Sequence, residues 1–138
     1  MPAVWTRMPE ATLAVAGRGL DLEAPDSRVE LMGFVDDLGA EYARAAAVVV
    51  PLLGGGGSPL KLIEGLAYGR PVVATDHAAA LVDGAEPGKN LLAAGDAGGF
   101  AGLLAEALGG KHKKVGTAGR ALAEAGFSIQ ALDAHLRS

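Results

Sequence analysis

A doubly wound α/β domain, with a parallel sheet and helices on both faces, is predicted by three features of this 138-residue chain. Short apolar runs alternate with longer segments of helical spacing, the pattern of strand–helix–strand units. One run, Ala46 to Val50, is apolar throughout, as strands covered on both faces of a parallel sheet are. Glycine turns at Gly17, at Gly33 and from Gly54 to Gly57 each follow such a run. In a doubly wound sheet, turns after strands lie on the carboxyl edge, where ligands bind.

The elements follow in order. Residues 3–8 read as the end of a helix with Trp5 and Met8 on its apolar side. Thr12 to Ala16 reads as a strand turned by Gly17 and Gly19, and Arg28 to Met32 as a second strand. Asp36 is the expected N-cap of a helix through about Arg44. After the strand Ala46 to Val50 comes a helix over Pro59 to Tyr68. Ser58 suits its N-cap, Pro59 its first position and Gly69 its end. Pro71 to Ala74 and Leu91 to Ala93 read as strands, with Asp76 and Asp83 as turn residues. Asp96 is expected to cap a helix over residues 97–108. Gly109 to Lys114 reads as an exposed turn between helices. Further helices are expected over residues 115–125 and 128–137. No internal repeat or linker divides the chain, so residues 1–138 read as one domain.

Composition narrows the function. Half of the residues are hydrophobic and the mean hydropathy is +0.28, which suits a domain with a surface turned to another domain. The net charge of -4 argues against a nucleic-acid surface. The absence of cysteine fits a reducing compartment, and a cytoplasmic protein without a signal peptide is expected. The longest apolar run, Ala45 to Leu53, is too short for a membrane span and contains Pro51. His77, His112 and His135 have no metal-type spacing, so no metal site is expected. Ser58 lacks a nucleophile-elbow context, and the glycine loop lacks the Lys-Ser/Thr ending of a P-loop. No catalytic residue is assigned.

The strongest signal is Gly54-Gly55-Gly56-Gly57-Ser58-Pro59-Leu60-Lys61-Leu62-Ile63-Glu64. A glycine loop lets a ligand approach backbone N–H groups, because no Cβ intervenes. The helix that follows presents unpaired N–H groups at its mouth, a ready site for phosphate. Leu60, Leu62, Ile63, Leu66 and Ala67 cover most of that helix, so it reads as buried nearly all round. A buried carboxylate such as Glu64 then needs a partner or a ligand. Helical side chains tilt toward the N-terminus, which aims Glu64 back at the loop. Phosphate at the helix mouth and a carboxylate for sugar hydroxyls make a nucleotide or nucleotide-sugar pocket. Two alternatives remain open: an ion pair of Glu64 with Lys61, and four glycines that only connect.

These residues also resemble a family. Pro51-Leu52, the glycine loop, Leu60 to Ala67 and Gly69 to Thr75 look like the donor-binding motif of retaining GT-B glycosyltransferases of family 4, also called group 1. Ala14 to Gly19, Val29 to Val35, Leu38 to Val50, Asn90 to Asp96 and Phe127-Ser128 resemble further segments of that family in the right order. Gly56 stands where many members carry a first glutamate, eight residues before Glu64. The resemblance implies the Rossmann-like C-terminal half of a GT-B fold, without an N-terminal acceptor domain or the first strand of this half. It implies sugar transfer from a UDP-, GDP- or ADP-sugar with retention of configuration, in polysaccharide biosynthesis, with no cofactor and no required metal. Glu64 would hold the ribose hydroxyls. Gly56, Gly57, Ser58, Pro59, Leu60 and Lys61 would form the loop and helix start around the distal phosphate and sugar, through the backbone amides that Pro59 lacks. Gly33, Phe34 and Val35 would frame the base, and Gly17 and Arg18 would lie near the phosphates. The chain alone is expected to be inactive, and the full-length enzyme is compatible with peripheral membrane contact. The competing readings are a standalone nucleotide-binding or interaction module and a GT-B-like nucleotide-sugar epimerase.

Overall fold

The computed structural model describes residues 1–17, 23–54 and 60–126. Arg18, Gly19, the segment from Gly55 to Pro59, Phe127, Ser128 and the expected last helix lie outside the described residues. The elements are α1 (Pro2–Arg7), β1 (Leu13–Ala16), β2 (Val29–Gly33), α2 (Leu38–Arg44), β3 (Val48–Val50), α3 (Leu60–Ala67), β4 (Val72–Thr75), α4 (Asp76–Ala80), β5 (Leu92–Ala94), α5 (Ala97–Leu108) and α6 (Lys113–Gly126). Among the described residues every strand pairing is parallel.

The strands form two sheets, β1-β2 and β3-β4-β5. In the larger sheet Val50 faces Ala74, and Ala74 faces Ala93. Strand periodicity divides the core between the two faces of β4. Val72 and Ala74 point to one side, where they meet Val50, Leu62, Leu66, Ala78, Val82, Leu91 and Ala123. Val73 points to the other, against Val4, Leu92, Leu104, Ala107 and Val115. Helices α3 and α4 therefore cover one face and α1 and α5 the other, while α6 contributes to both clusters. This is the layered arrangement expected from the alternating sequence pattern.

Side-chain caps set the starts of α2, α4 and α5. Asp96 Oδ1 accepts the Gly99 N–H at 2.7 Å and starts α5 as expected. The cap of α2 is Asp37, not Asp36, and Asp37 Oδ1 accepts the Ala40 N–H at 3.1 Å. An N-cap side chain reaches an amide two or three residues on, and Asp36 is one residue too early for a helix that begins at Leu38. Asp76 is not a turn residue. It opens α4, whose N-cap Thr75 accepts the Ala78 N–H at 3.2 Å, and its negative charge suits a helix N-terminus. The Thr75 hydroxyl also donates to the Leu52 carbonyl, which ties the loop after β3 to the end of β4.

Two glycines let α3 and α6 pack closely. A Cβ on Gly65 would lie 3.0 Å from Val48 Cγ1 and 3.1 Å from Val72 Cγ2, so the helix sits directly on the sheet. A Cβ on Gly119 would lie 2.7 Å from the Asn90 carbonyl oxygen and 2.8 Å from Leu66 Cδ2. Asn90, the buried polar residue among those described, is hydrogen-bonded at both ends of its amide. Its Oδ1 accepts the Glu86 N–H and its Nδ2 donates to the Gly84 carbonyl.

Candidate functional site

Glu64 lies one turn into the described part of α3, and the glycine segment immediately precedes that helix. The helix is less buried than its composition suggests. Leu62, Gly65 and Leu66 face the core, whereas Leu60, Lys61 and Ala67 are exposed and Ile63 and Glu64 are half-buried. The difference arises because the sheet covers only one side of α3. The Glu64 side chain keeps 40% of its surface exposed. It is therefore reachable by a ligand and is not a buried charge in need of rescue.

Two groups meet its carboxylate, both on Oε2. The Tyr42 hydroxyl donates at 3.2 Å and Lys61 Nζ at 3.5 Å. Among the described residues, none donates to Oε1. The ion pair with Lys61 is thus present, but Lys61 is 70% exposed. Exposed pairs of this kind contribute at most about 1 kcal/mol. Tyr42 is held more firmly. Its ring stacks on Tyr68 with centroids 4.4 Å apart and planes 11° from parallel. Burial first, and then the negative charge and hydrogen bond of Glu64, push the Tyr42 hydroxyl up to about 12. It is a proton donor to Glu64 across the whole physiological range.

The other turns fall as expected after their strands. Gly33 has φ +64°, a conformation that suits glycine, at the end of β2. Its carbonyl accepts the Gly17 N–H at 2.8 Å, which brings the turns after β1 and β2 together. That bond occupies the Gly17 amide, so this N–H is not available to a phosphate. Phe34 is exposed and Val35 half-buried beside this joined turn. Leu60 and Lys61 are exposed at the start of α3. Arg18, Gly56, Gly57, Ser58 and Pro59 lie outside the described residues. Tyr42 and Tyr68 escaped the sequence reading. Their signal was faint: they are the two tyrosines of the chain, one on α2 and one in the turn just after α3.

Elsewhere the chemistry is structural. Glu106 accepts from His112 at 2.9 Å and pairs with Lys111 at 3.7 Å, which closes the polar turn before α6. Among the described residues, no three His, Asp or Glu side chains converge as a metal site would require. A cleft lined by Arg7, Met8, Pro9, Glu10, Ala11 and Leu108 involves neither α2 nor α3.

The family of glycosyl transferases group 1 matches residues 1–109. The chain belongs to that family. Two solved structures of Anabaena Alr3699/HepE share the fold of this group 1 chain. One, in complex with UDP and glucose, has a TM-score of 0.76 at 17% identity. The other, in complex with UDP, has a TM-score of 0.72 at 19% identity. Each alignment covers 99% of this chain and 43% of the other. The group 1 chain thus spans less than half the length of those structures. No curated protein matches it. The α/β, Rossmann-like class and the family resemblance read from the sequence both hold.

Proposed function

We propose that the chain is the donor-binding half of a retaining glycosyltransferase that uses a nucleoside-diphosphate sugar. The observation that carries the reading is Glu64: a reachable carboxylate whose Oε1 takes no bond from the described residues, close behind a glycine-rich segment in a group 1 chain. Glu64 accepts the two ribose hydroxyls in charge-assisted hydrogen bonds. The amides of Gly56, Gly57, Ser58 and Leu60 cradle the distal phosphate and the sugar, and Pro59 shapes the segment without donating. Lys61 places a positive charge beside them. Gly33, Phe34 and Val35 frame the base. Near the phosphates the contact falls to Arg18, because the Gly17 amide is already donated. Retention requires the protein chiefly to hold the donor and stabilise the leaving diphosphate, and amides at a helix mouth suit that charge stabilisation. The UDP of the Anabaena structures supports a uridine donor, with GDP- and ADP-sugars as the alternatives.

The sheet supports a longer protein. Among the described residues β1 pairs only with β2, and β3 only with β4. The doubly wound order 3-2-1-4-5-6 has one central strand between such a pair and such a triplet. We read β2-β1 and β3-β4-β5 as its two sides, with the central strand and an acceptor domain supplied by further sequence. No helix among the described residues is long and apolar enough to cross a membrane.

The test is a panel of UDP-, GDP- and ADP-sugars with the whole protein, read as release of nucleoside diphosphate. Turnover of one donor class is expected, with none from the 138 residues alone. Binding without turnover of any donor would favour the standalone module. Turnover that yields an epimerised donor would favour the epimerase.

A further inference from the structure

We propose that Tyr42 is a positioning residue for the Glu64 carboxylate, held in place by its stack on Tyr68. The inference rests on the reading of Glu64 as the ribose partner. A carboxylate that binds two adjacent hydroxyls must present its oxygens in one plane and one direction. Glu64 alone, on a half-exposed side chain with several rotatable bonds, has many orientations. Lys61 does not select among them, because its bond is long at 3.5 Å and its own chain is largely in solvent. Tyr42 does. Its hydroxyl sits on a rigid ring with only two side-chain torsions, and it donates to Oε2. This leaves Oε1 with no donor among the described residues.

The frame comes from two helices. Tyr42 belongs to α2, whereas Glu64 is on α3 and Tyr68 follows its last turn. Glu64 and Tyr68 are four residues apart, so they share one side of that segment. The near-parallel stack of the two rings fixes the height of the Tyr42 hydroxyl relative to α3. Gly39 of α2 lies against the same ring: a Cβ there would stand in ordinary contact, 3.5 Å from the Tyr68 hydroxyl and 3.6 Å from its ring. The contact is thus tertiary, and it joins a helix outside the glycine–helix segment to the site.

The experiment uses the whole protein with Tyr42→Phe, Glu64→Gln and the double variant. Phenylalanine keeps the stack and removes the hydroxyl. The probes are UDP, GDP and ADP, and the 2′,3′-dideoxy form of whichever binds the parent most tightly, measured by calorimetry. Tyr42→Phe is expected to weaken the nucleotide about threefold to tenfold, the effect of one hydrogen bond. It should leave the dideoxy form unchanged and add nothing to Glu64→Gln, because Tyr42 acts on the ribose only through Glu64. If Glu64→Gln weakens binding and Tyr42→Phe does not, the positioning role is refuted and the ribose reading stands. Equal weakening of both ligand forms by Tyr42→Phe would also refute it, as a general structural effect. If Glu64→Gln changes nothing, or no nucleotide binds the parent, the ribose reading itself fails.

Discussion

Replacement of Gly65 with valine should destabilise the fold by about 3 kcal/mol, and Val48→Ala should couple favourably with it. Gly65 is buried on α3, and even a single Cβ would stand 3.0 Å from Val48 Cγ1 and 3.1 Å from Val72 Cγ2. Ordinary carbon contacts are about 3.5–4.0 Å, so both are roughly half an ångström too close. Val72 is fully buried on β4, which is hydrogen-bonded on both sides, and it cannot yield. Val48 is half-buried on β3 and can move more easily. Alanine at 65 gains about 1 kcal/mol of helix propensity, which offsets part of an overpacking cost of about 1–3 kcal/mol. Valine loses most of that propensity gain and adds two methyl groups to the same contact, so the cost dominates. At roughly 4 °C per kcal/mol for a chain of this size, the melting temperature should fall by about 12 °C. Thermal melts followed by circular dichroism would measure it. Val48→Ala should destabilise the parent yet couple favourably with Gly65→Val by at least about 1 kcal/mol. A Gly65→Val melt within about 3 °C of the parent, or no coupling to Val48, would refute this packing of α3 on the sheet.

The hydroxyl of Tyr42 should make the fold sensitive to high pH. Its pKa is raised from 10.0 to about 12 in the folded state, so its contribution is complete below pH 10 and is lost as pH rises toward 12. Melts across that window should show a steeper loss for the parent than for Tyr42→Phe. Acid should act on Asp26, which hydrogen bonds from Arg28 lower from 3.8 to about 2. Its contribution is complete above the unfolded value and is lost as pH falls through about 2. Asp26→Asn should flatten that part of the profile, with Trp5 as the reporter, since Arg28 lies 3.9 Å over its ring. Gly57→Val should weaken nucleoside-diphosphate binding in the whole protein with little change in circular dichroism, because a β-branched residue obstructs close backbone approach. Equal affinity would make the four glycines a plain connector.

The strands and their order were legible in the sequence because buried parallel strands are short apolar runs. Val48–Val50 and Val72–Thr75 stand out as such runs, but of the two only β4 is buried on both faces; Val48 and Val49 are half-buried, because among the described residues β3 pairs on one side alone. Asp96 was legible as a cap because its partner is three residues away. Helix α4 was not, since five residues are too few to show a helical period. The exposure of Glu64 was misjudged because composition reports how apolar a helix is, not how many of its sides are covered. The Tyr42–Glu64–Tyr68 cluster joins residues 22 apart with a ring stack between α2 and the turn after α3, and no local pattern encodes that docking. The division into two sheets depends equally on spatial pairing.

The central claim is that Glu64 binds a ribose and is not merely the ion-pair partner of Lys61. Glu64→Gln separates the two when affinity and stability are measured together. The exposed ion pair is worth at most about 1 kcal/mol, so its loss should lower the melting temperature by only a few degrees. Loss of a charge-assisted bond to a ligand is worth about 1.5–3 kcal/mol, or roughly tenfold to a hundredfold in affinity. Calorimetric titration of the whole protein with UDP, beside a thermal melt, should therefore show a large fall in affinity and a small fall in melting temperature. Unchanged UDP affinity with a melting temperature lowered by about 10 °C would contradict the account and leave Glu64 a structural residue.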